Sequence, residues 1–141
     1  MPWQQTVESL MTRDVLTTPE SEPLVTAMET MAEQRIRHVL VTDANNALAG
    51  ILSNRDVARA VLVDRERKLD LYAVTVGSVM TRDPITVGAQ APLAEAARLM
   101  LENRINALPV LDKEGELAGI ITSDDLLYAV VQAGPLRSPQ L

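Results

Sequence analysis

The chain has no cysteine and no phenylalanine, one histidine, and an aromatic content of only 2% over 141 residues. Without cysteine it has neither a disulfide framework nor a thiolate metal site. His38, standing alone, supplies neither a multi-histidine metal cluster nor a catalytic triad. The shortage of aromatic rings removes the stacking platforms on which single-stranded nucleic acid is read. A net charge of −6 points the same way, because backbone phosphates are bound by a surplus of Lys and Arg. No apolar run is long enough to span a membrane, and Met1-Pro2-Trp3-Gln4 does not read as a signal peptide, so the expected location is the cytoplasm. With 47% apolar and 23% charged residues the composition is that of an ordered globular protein, and its core must be built from Val, Leu, Ile, Ala and Met.

What the chain does have is one pattern written twice. V-E-S-L-M-T-R-D from Val7 returns as V-G-S-V-M-T-R-D from Val76, and at this constant offset the copies align without a gap to Leu62 and Val131. Pro23-Leu24 matches Pro92-Leu93, Met31 matches Met100, Arg35-Ile36 matches Arg104-Ile105, and Leu48-Ala49-Gly50-Ile51 matches Leu117-Ala118-Gly119-Ile120. A unit of roughly 55 to 65 residues is marginal alone, so two copies are expected to share one core.

Each copy reads as strand, helix, strand, strand, helix. A short amphipathic segment (Val7 to Met11, Val76 to Met80) leads into an extended stretch at Val15-Leu16-Thr17 and Pro84-Ile85-Thr86-Val87. Pro23 and Pro92 suit a first helical turn, where a missing N–H costs nothing. Leu24, Ala27, Met28 and Met31, and likewise Leu93, Ala96, Ala97 and Met100, then form a stripe at helical spacing. Asp43 to Asn46 and Asp112 to Gly115 are turn compositions between apolar runs and predict hairpins. Gly50 and Gly119, inside the second strands, predict a close backbone approach or a bulge. The last helix carries Val57, Ala58, Val61 and Leu62, or Leu126, Leu127, Val130 and Val131. The expected layout is a first repeat at 7–63, a mixed-charge connector at 64–75, a second repeat at 76–132 and a frayed tail at 133–141.

The V-x-S-h-M-T-R-D openings, R-I-x-x-h-x-V-h-D centres and G-I-h-[ST]-x-x-D closings (h, apolar), present in both copies, resemble a tandem pair of CBS domains, the cystathionine-β-synthase-like regulatory module. The resemblance implies an α/β (α+β) fold in which two β-α-β-β-α repeats pack by pseudo-twofold symmetry into one CBS-pair module. It also implies two clefts that take adenosine-containing ligands, dimerisation into a disc, and a signal passed to an effector protein. One departure from the family pattern is Leu40, which stands where the second copy has the usual proline, Pro109.

The residues of the closing motif admit two roles. Ser53 with Asp56, and Thr122 with Asp125, are spaced as helix capping boxes, each worth about 1 kcal/mol. The same carboxylate can also accept ribose hydroxyls, while the hydroxyl residue and the helix N-terminal N–H groups meet phosphate oxygens. The residue pattern favours the cap, and the resemblance implies the ribose role. The resemblance further implies one cleft combining Thr122 and Asp125 with Leu16, Arg37, His38 and Val39, and another combining Ser53 and Asp56 with Ile85, Asn106, Ala107 and Leu108.

The two clefts are unequal in sequence. Arg37-His38 aligns with Asn106-Ala107, which gives the Asp125 cleft a cationic wall suited to phosphate. Asp124 adds a negative charge there, offset by Arg37 or by Mg²⁺ bound with a polyphosphate. The Asp56 cleft has Arg55 at the position of Asp124. Arg35 and Arg104, with Glu33 and Glu102, recur in both copies and suggest helix-end charges. The expected ligand is AMP, ADP, ATP, S-adenosylmethionine or an NAD-like compound, no catalytic or metal-ligating residues are expected, and a homodimer is. The competing reading is a constitutive dimerisation or interaction module with unused clefts. An enzyme is the least favoured, because no activated nucleophile or acid/base pair recurs outside the caps.

Overall fold

The computed structural model describes residues 2–63, 70 and 72–133. The expected connector, over 64–69 and 71, and the expected tail, from 134 onward, lie outside the described residues. The contacts divide the chain into two units, Val15–Pro84 and Met1–Asp14 with Ile85–Leu141. Both boundaries fall at the end of a Met-Thr-Arg-Asp motif, so each unit joins the body of one copy to the opening segment of the other.

In the unit Val15–Pro84 the elements are β1 (Thr17–Pro19), α1 (Leu24–Gln34), β2 (His38–Thr42), β3 (Leu48–Ser53), α2 (Asn54–Val63), α3 (Val76–Val79) and β4 (Thr81–Arg82). The strands form one sheet in the order β1-β2-β3-β4, with β1 parallel to β2 and the other pairs antiparallel. Pro23 sits at the N-cap of α1, one residue ahead of the first helical turn, with its ring-fixed φ of −59°. The helix closes at Arg35, which adopts a left-handed φ of 55°, and Ile36 N–H returns to Met31 O at 3.0 Å, the geometry that satisfies terminal carbonyls. Leu24, Ala27 and Met31 are buried against Val39, Val41, Leu52, Val57, Val76 and Met80. In β2 Val39, Leu40, Val41 and Thr42 are all buried, so side chains on both faces of this central strand are covered. The hairpin turn is tied by Asp43 Oδ1, which accepts the N–H groups of Asn45 and Ala47 at 2.8 and 3.0 Å.

The other unit holds β5 (Val87–Gly88), α4 (Leu93–Asn103), β6 (Ala107–Leu111), β7 (Leu117–Thr122) and α5 (Ser123–Gln132), with a sheet in the order β5-β6-β7. The opening segment lies on it as two short 3-10 turns, Pro2–Gln4 and Val7–Ser9. Val7 and Glu8 donate their N–H groups to Ala91 and Ala89 at 2.8 and 2.9 Å, and Leu93 N–H returns to Gln5 O at 2.8 Å. Val7 and Met11 thereby join a buried cluster with Val87, Leu93, Ala96, Met100, Leu108, Val110, Ile121 and Ala129. Buried residues gather in one cluster within each unit, each cluster completed by the opening segment of the other copy, while Leu40 and Ala107 are buried without belonging to either.

Both central glycines mark the close approach expected of them. A Cβ on Gly119 would stand 2.5 Å from Thr12 O, and one on Gly50 would stand 2.6 Å from Thr81 O. The first strands begin later than expected, at Thr17 and Val87, the last residues of the stretches that suggested them. The buried position of the first is Thr18, aligned with Val87, so apolarity pointed to Val15 and Leu16 instead. The last helices form where they were expected; on them Val57 is buried while Val61, Leu62, Leu127 and Val131 stand exposed. No helix among the described residues is long and apolar enough to cross a membrane.

Candidate functional site

The two Ser/Thr-x-x-Asp motifs fold into the same local structure. β7 runs directly into α5, and the Thr122 side chain accepts Asp125 N–H at 3.3 Å. Asp125 Oδ2 in turn accepts Thr122 N–H at 2.8 Å and Thr122 Oγ1 at 3.1 Å. This is a capping box, and it satisfies donors that the helix start leaves over. At the junction of β3 and α2, Asp56 N–H donates to Ser53 Oγ at 3.1 Å, and Asp56 Oδ2 accepts Ser53 N–H and Oγ at 2.8 and 3.0 Å. The cap reading is therefore realised in both copies. Each acid spends one oxygen on it and keeps a partly exposed position at the start of a ten-residue helix, where the N-terminal N–H groups favour an anion.

Sequence reasoning missed one participant in this chemistry. Thr81 Oγ1 donates to Asp56 Oδ1 at 3.2 Å, across 25 residues of chain. Thr81 reaches it because β4 pairs with β3, setting Thr81 opposite Ile51 and Arg82 opposite Gly50. The Met-Thr-Arg-Asp motif was visible as a repeat, but only strand pairing brings its threonine to the helix start.

The remaining candidates divide evenly between the units. In Val15–Pro84, Leu16 precedes β1, Arg37 is exposed just before β2, His38 pairs with Ser53, and Val39 pairs with Leu52 and is buried. Asn54 N–H donates to Arg37 O at 3.1 Å, tying the strand entry to the helix start. Arg55 is exposed in the first turn of α2. In the other unit Ile85 precedes β5, Asn106 precedes β6 and accepts Ser123 N–H on its carbonyl at 2.9 Å, Ala107 pairs with Thr122, and Leu108 pairs with Ile121. Asp124 is exposed in the first turn of α5. Leu16 and Ile85, equivalent in the repeat, are 43% and 37% exposed, so each unit holds a large aliphatic side chain in the open at the same position. The cleft groupings implied by the resemblance draw on both units and are taken up below as a proposal.

Apolar grooves also occur within the units. One of about 110 Å³ is lined by Trp3, Leu93, Ala97, Leu126 and Val130, and one of about 260 Å³ by Met28, Met31, Ile36 and Val57. Neither includes Asp56 or Asp125.

Comparison with known proteins follows the same repeat. The CBS domain family model matches twice, at residues 7–63 and 76–132. A CBS domain-containing protein of Dictyostelium discoideum is 33% identical over 95% of this chain and 97% of its own length. A homoserine O-acetyltransferase of Methanococcoides burtonii is 35% identical over 85% of this chain, which there spans 23% of the relative's length. The crystal structure of CBSX2 in complex with AMP is 32% identical, covers 91% of this chain and 97% of the other, and superposes with a TM-score of 0.77. With two matched copies, a near full-length relative and the strand-helix-strand-strand-helix order in each, the chain belongs to the CBS-domain family.

Proposed function

We propose that this CBS-domain pair is a non-enzymatic regulatory module that binds an adenosine-containing ligand at its Ser/Thr-x-x-Asp helix starts. The observation that carries the reading is the duplicated cap, in which a carboxylate at a helix N-terminus retains a partly exposed position beside strand ends. A carboxylate accepts hydroxyl protons of a ribose, and helix-start N–H groups and the cap hydroxyl suit phosphate oxygens. The likeness to CBSX2, which was solved with AMP, supports the same ligand class here.

In the finer reading Asp125 and Thr122 work with Leu16, Arg37, His38 and Val39, and Asp56 and Ser53 with Ile85, Asn106, Ala107 and Leu108. Arg37 and His38 then favour a phosphorylated ligand at Asp125. Among the described residues no three acidic or histidine side chains form a metal site, so Mg²⁺ enters this reading only as the companion of a polyphosphate. The ligand acts by population shift, favouring one geometry of a cytoplasmic homodimer or of an effector complex in proportion to its differential affinity.

Thermal unfolding of ligand-free protein with AMP, ADP, ATP, NAD and S-adenosylmethionine tests the proposal. A ligand at 100 times its dissociation constant adds about 2.7 kcal/mol. Asp125→Ala and Arg37→Ala should each reduce that gain while keeping the fold, leaving what binding remains to the Asp56 helix start. No shift with any of the five compounds would sink the reading, and ATP turnover abolished by Asp125→Asn would replace it with an enzyme.

A second reading, a constitutive dimerisation module, is favoured by one observation. Leu127 and Val131 on α5 are 63% and 62% exposed, in a chain with ample polar residues to place there. Under that reading Asp125→Ala leaves partner capture unchanged.

A further inference from the structure

The two acids share a residue type, a cap and a place in the repeat, yet their outer oxygens differ. Asp56 Oδ2 is taken by Ser53, and Asp56 Oδ1 accepts the Thr81 hydroxyl at 3.2 Å. Asp125 Oδ2 is taken by Thr122, and among the described residues no donor meets its Oδ1. The counterpart of Thr81 is Thr12, which lies opposite Ile120 as Thr81 lies opposite Ile51. Thr12 forms only an isolated bridge, whereas pairing around Thr81 continues through Arg82 into a strand, and Arg82 is further held by Gly77 O at 3.1 Å and by Glu20. The segment that carries Thr81 thus pairs over two residues, whereas the one that carries Thr12 is held by Ile120 in both directions and by the pair of Arg13 with Glu8 at 3.2 Å.

We propose that Thr81 makes the two acids unequal acceptors. Its hydroxyl occupies the oxygen of Asp56 that the helix cap leaves over, so a ligand diol meets a vacant acceptor at Asp125 and must displace a bonded hydroxyl at Asp56. This rests on the proposed adenosine reading and adds to it which acid fills first and what holds the other back. The ground is separate from the Arg37 and His38 charges, because Thr81 and Asp56 lie in one unit and Thr12 and Asp125 in the other. Thr81 acts here through Asp56, as a positioning residue.

Two measurements on the full chain test this. The first needs no ligand: double-mutant cycles on unfolding, Thr81→Ala with Asp56→Ala and Thr12→Ala with Asp125→Ala, since alanine leaves neither an acceptor nor a donor at the acid. A coupling of about three- to tenfold in the unfolding equilibrium constant is expected for the first pair and none for the second. The second is titration with AMP in an Asp125→Ala background, which isolates Asp56. Thr81→Ala should tighten AMP there about three- to tenfold, and Thr81→Ser, which restores the hydroxyl, should not. In an Asp56→Ala background Thr12→Ala should leave AMP affinity unchanged.

Equal coupling in both cycles, or AMP binding unaltered or weakened by Thr81→Ala, overturns the proposal. If no variant and not the wild type binds AMP or another adenosine compound, the adenosine reading falls. In that event the stability cycle alone decides whether Thr81 holds Asp56.

Discussion

Replacing Gly119 by alanine tests the packing on which each unit depends. The added Cβ would lie 2.5 Å from Thr12 O and 2.9 Å from Met11 Sδ, where ordinary contact begins at 3.4 Å. Met11 can swing its thioether aside, but the Thr12 carbonyl cannot retreat freely. It accepts Ile120 N–H at 3.0 Å, while Thr12 N–H donates to Ile120 O at 2.9 Å. Moving the segment nearly an ångström loosens both bonds, each worth about 1 kcal/mol, and overpacking of this kind costs about 1–3 kcal/mol. The expected loss is about 2–4 kcal/mol, read from urea unfolding monitored by circular dichroism. Gly50→Ala, whose Cβ would stand 2.6 Å from Thr81 O, should fall in the same range. Gly88→Ala is the control: nothing lies within 4 Å of its Cβ, and alanine there should be neutral or add up to about 1 kcal/mol through the unfolded chain. If Gly119→Ala costs no more than Gly88→Ala, the opening segment does not press on β7 as described.

Two further outcomes follow from charge and exposure. Arg13 donates to Glu8 at 3.2 Å and, with Gln90 Nε2, holds the Glu8 carboxyl below its ordinary range. A lowered folded-state value gives a contribution that is whole above that range and is lost as pH falls through it. The stability difference between wild type and Glu8→Gln should therefore shrink between about pH 7 and about pH 3, and an equal difference at both would refute the assignment. Leu127→Glu with Val131→Glu should convert the homodimer proposed for this chain to monomer without unfolding it, as read by sedimentation velocity. A wild type already monomeric at all concentrations would refute the dimer itself.

The repeat made most of the architecture legible, because periodicity and turn chemistry are local. The stripe Leu24, Ala27, Met31 and its copy are buried, and both turns fall where aspartate and glycine or asparagine signal them. Misreadings arose where burial and composition part company. Thr18 occupies an inward strand position, so the polar letter hid the strand and the exposed Leu16 advertised one. The caps were legible from the three-residue spacing of Ser53 with Asp56 and Thr122 with Asp125. The Thr81 bond to Asp56 was not, since no local pattern announces that a threonine 25 residues downstream will lie across the strand from a helix start. Nor could spacing show that the opening motif of each copy serves the other copy's sheet.

That exchange separates what the gene copied from what the polypeptide builds. A cut between the copies would hand each product a sheet lacking its lid and a lid lacking its sheet, whereas a cut after Pro84 would spare the fragment Val15–Pro84 intact. The stretch that repeats in the sequence is therefore not the stretch that closes on itself in space.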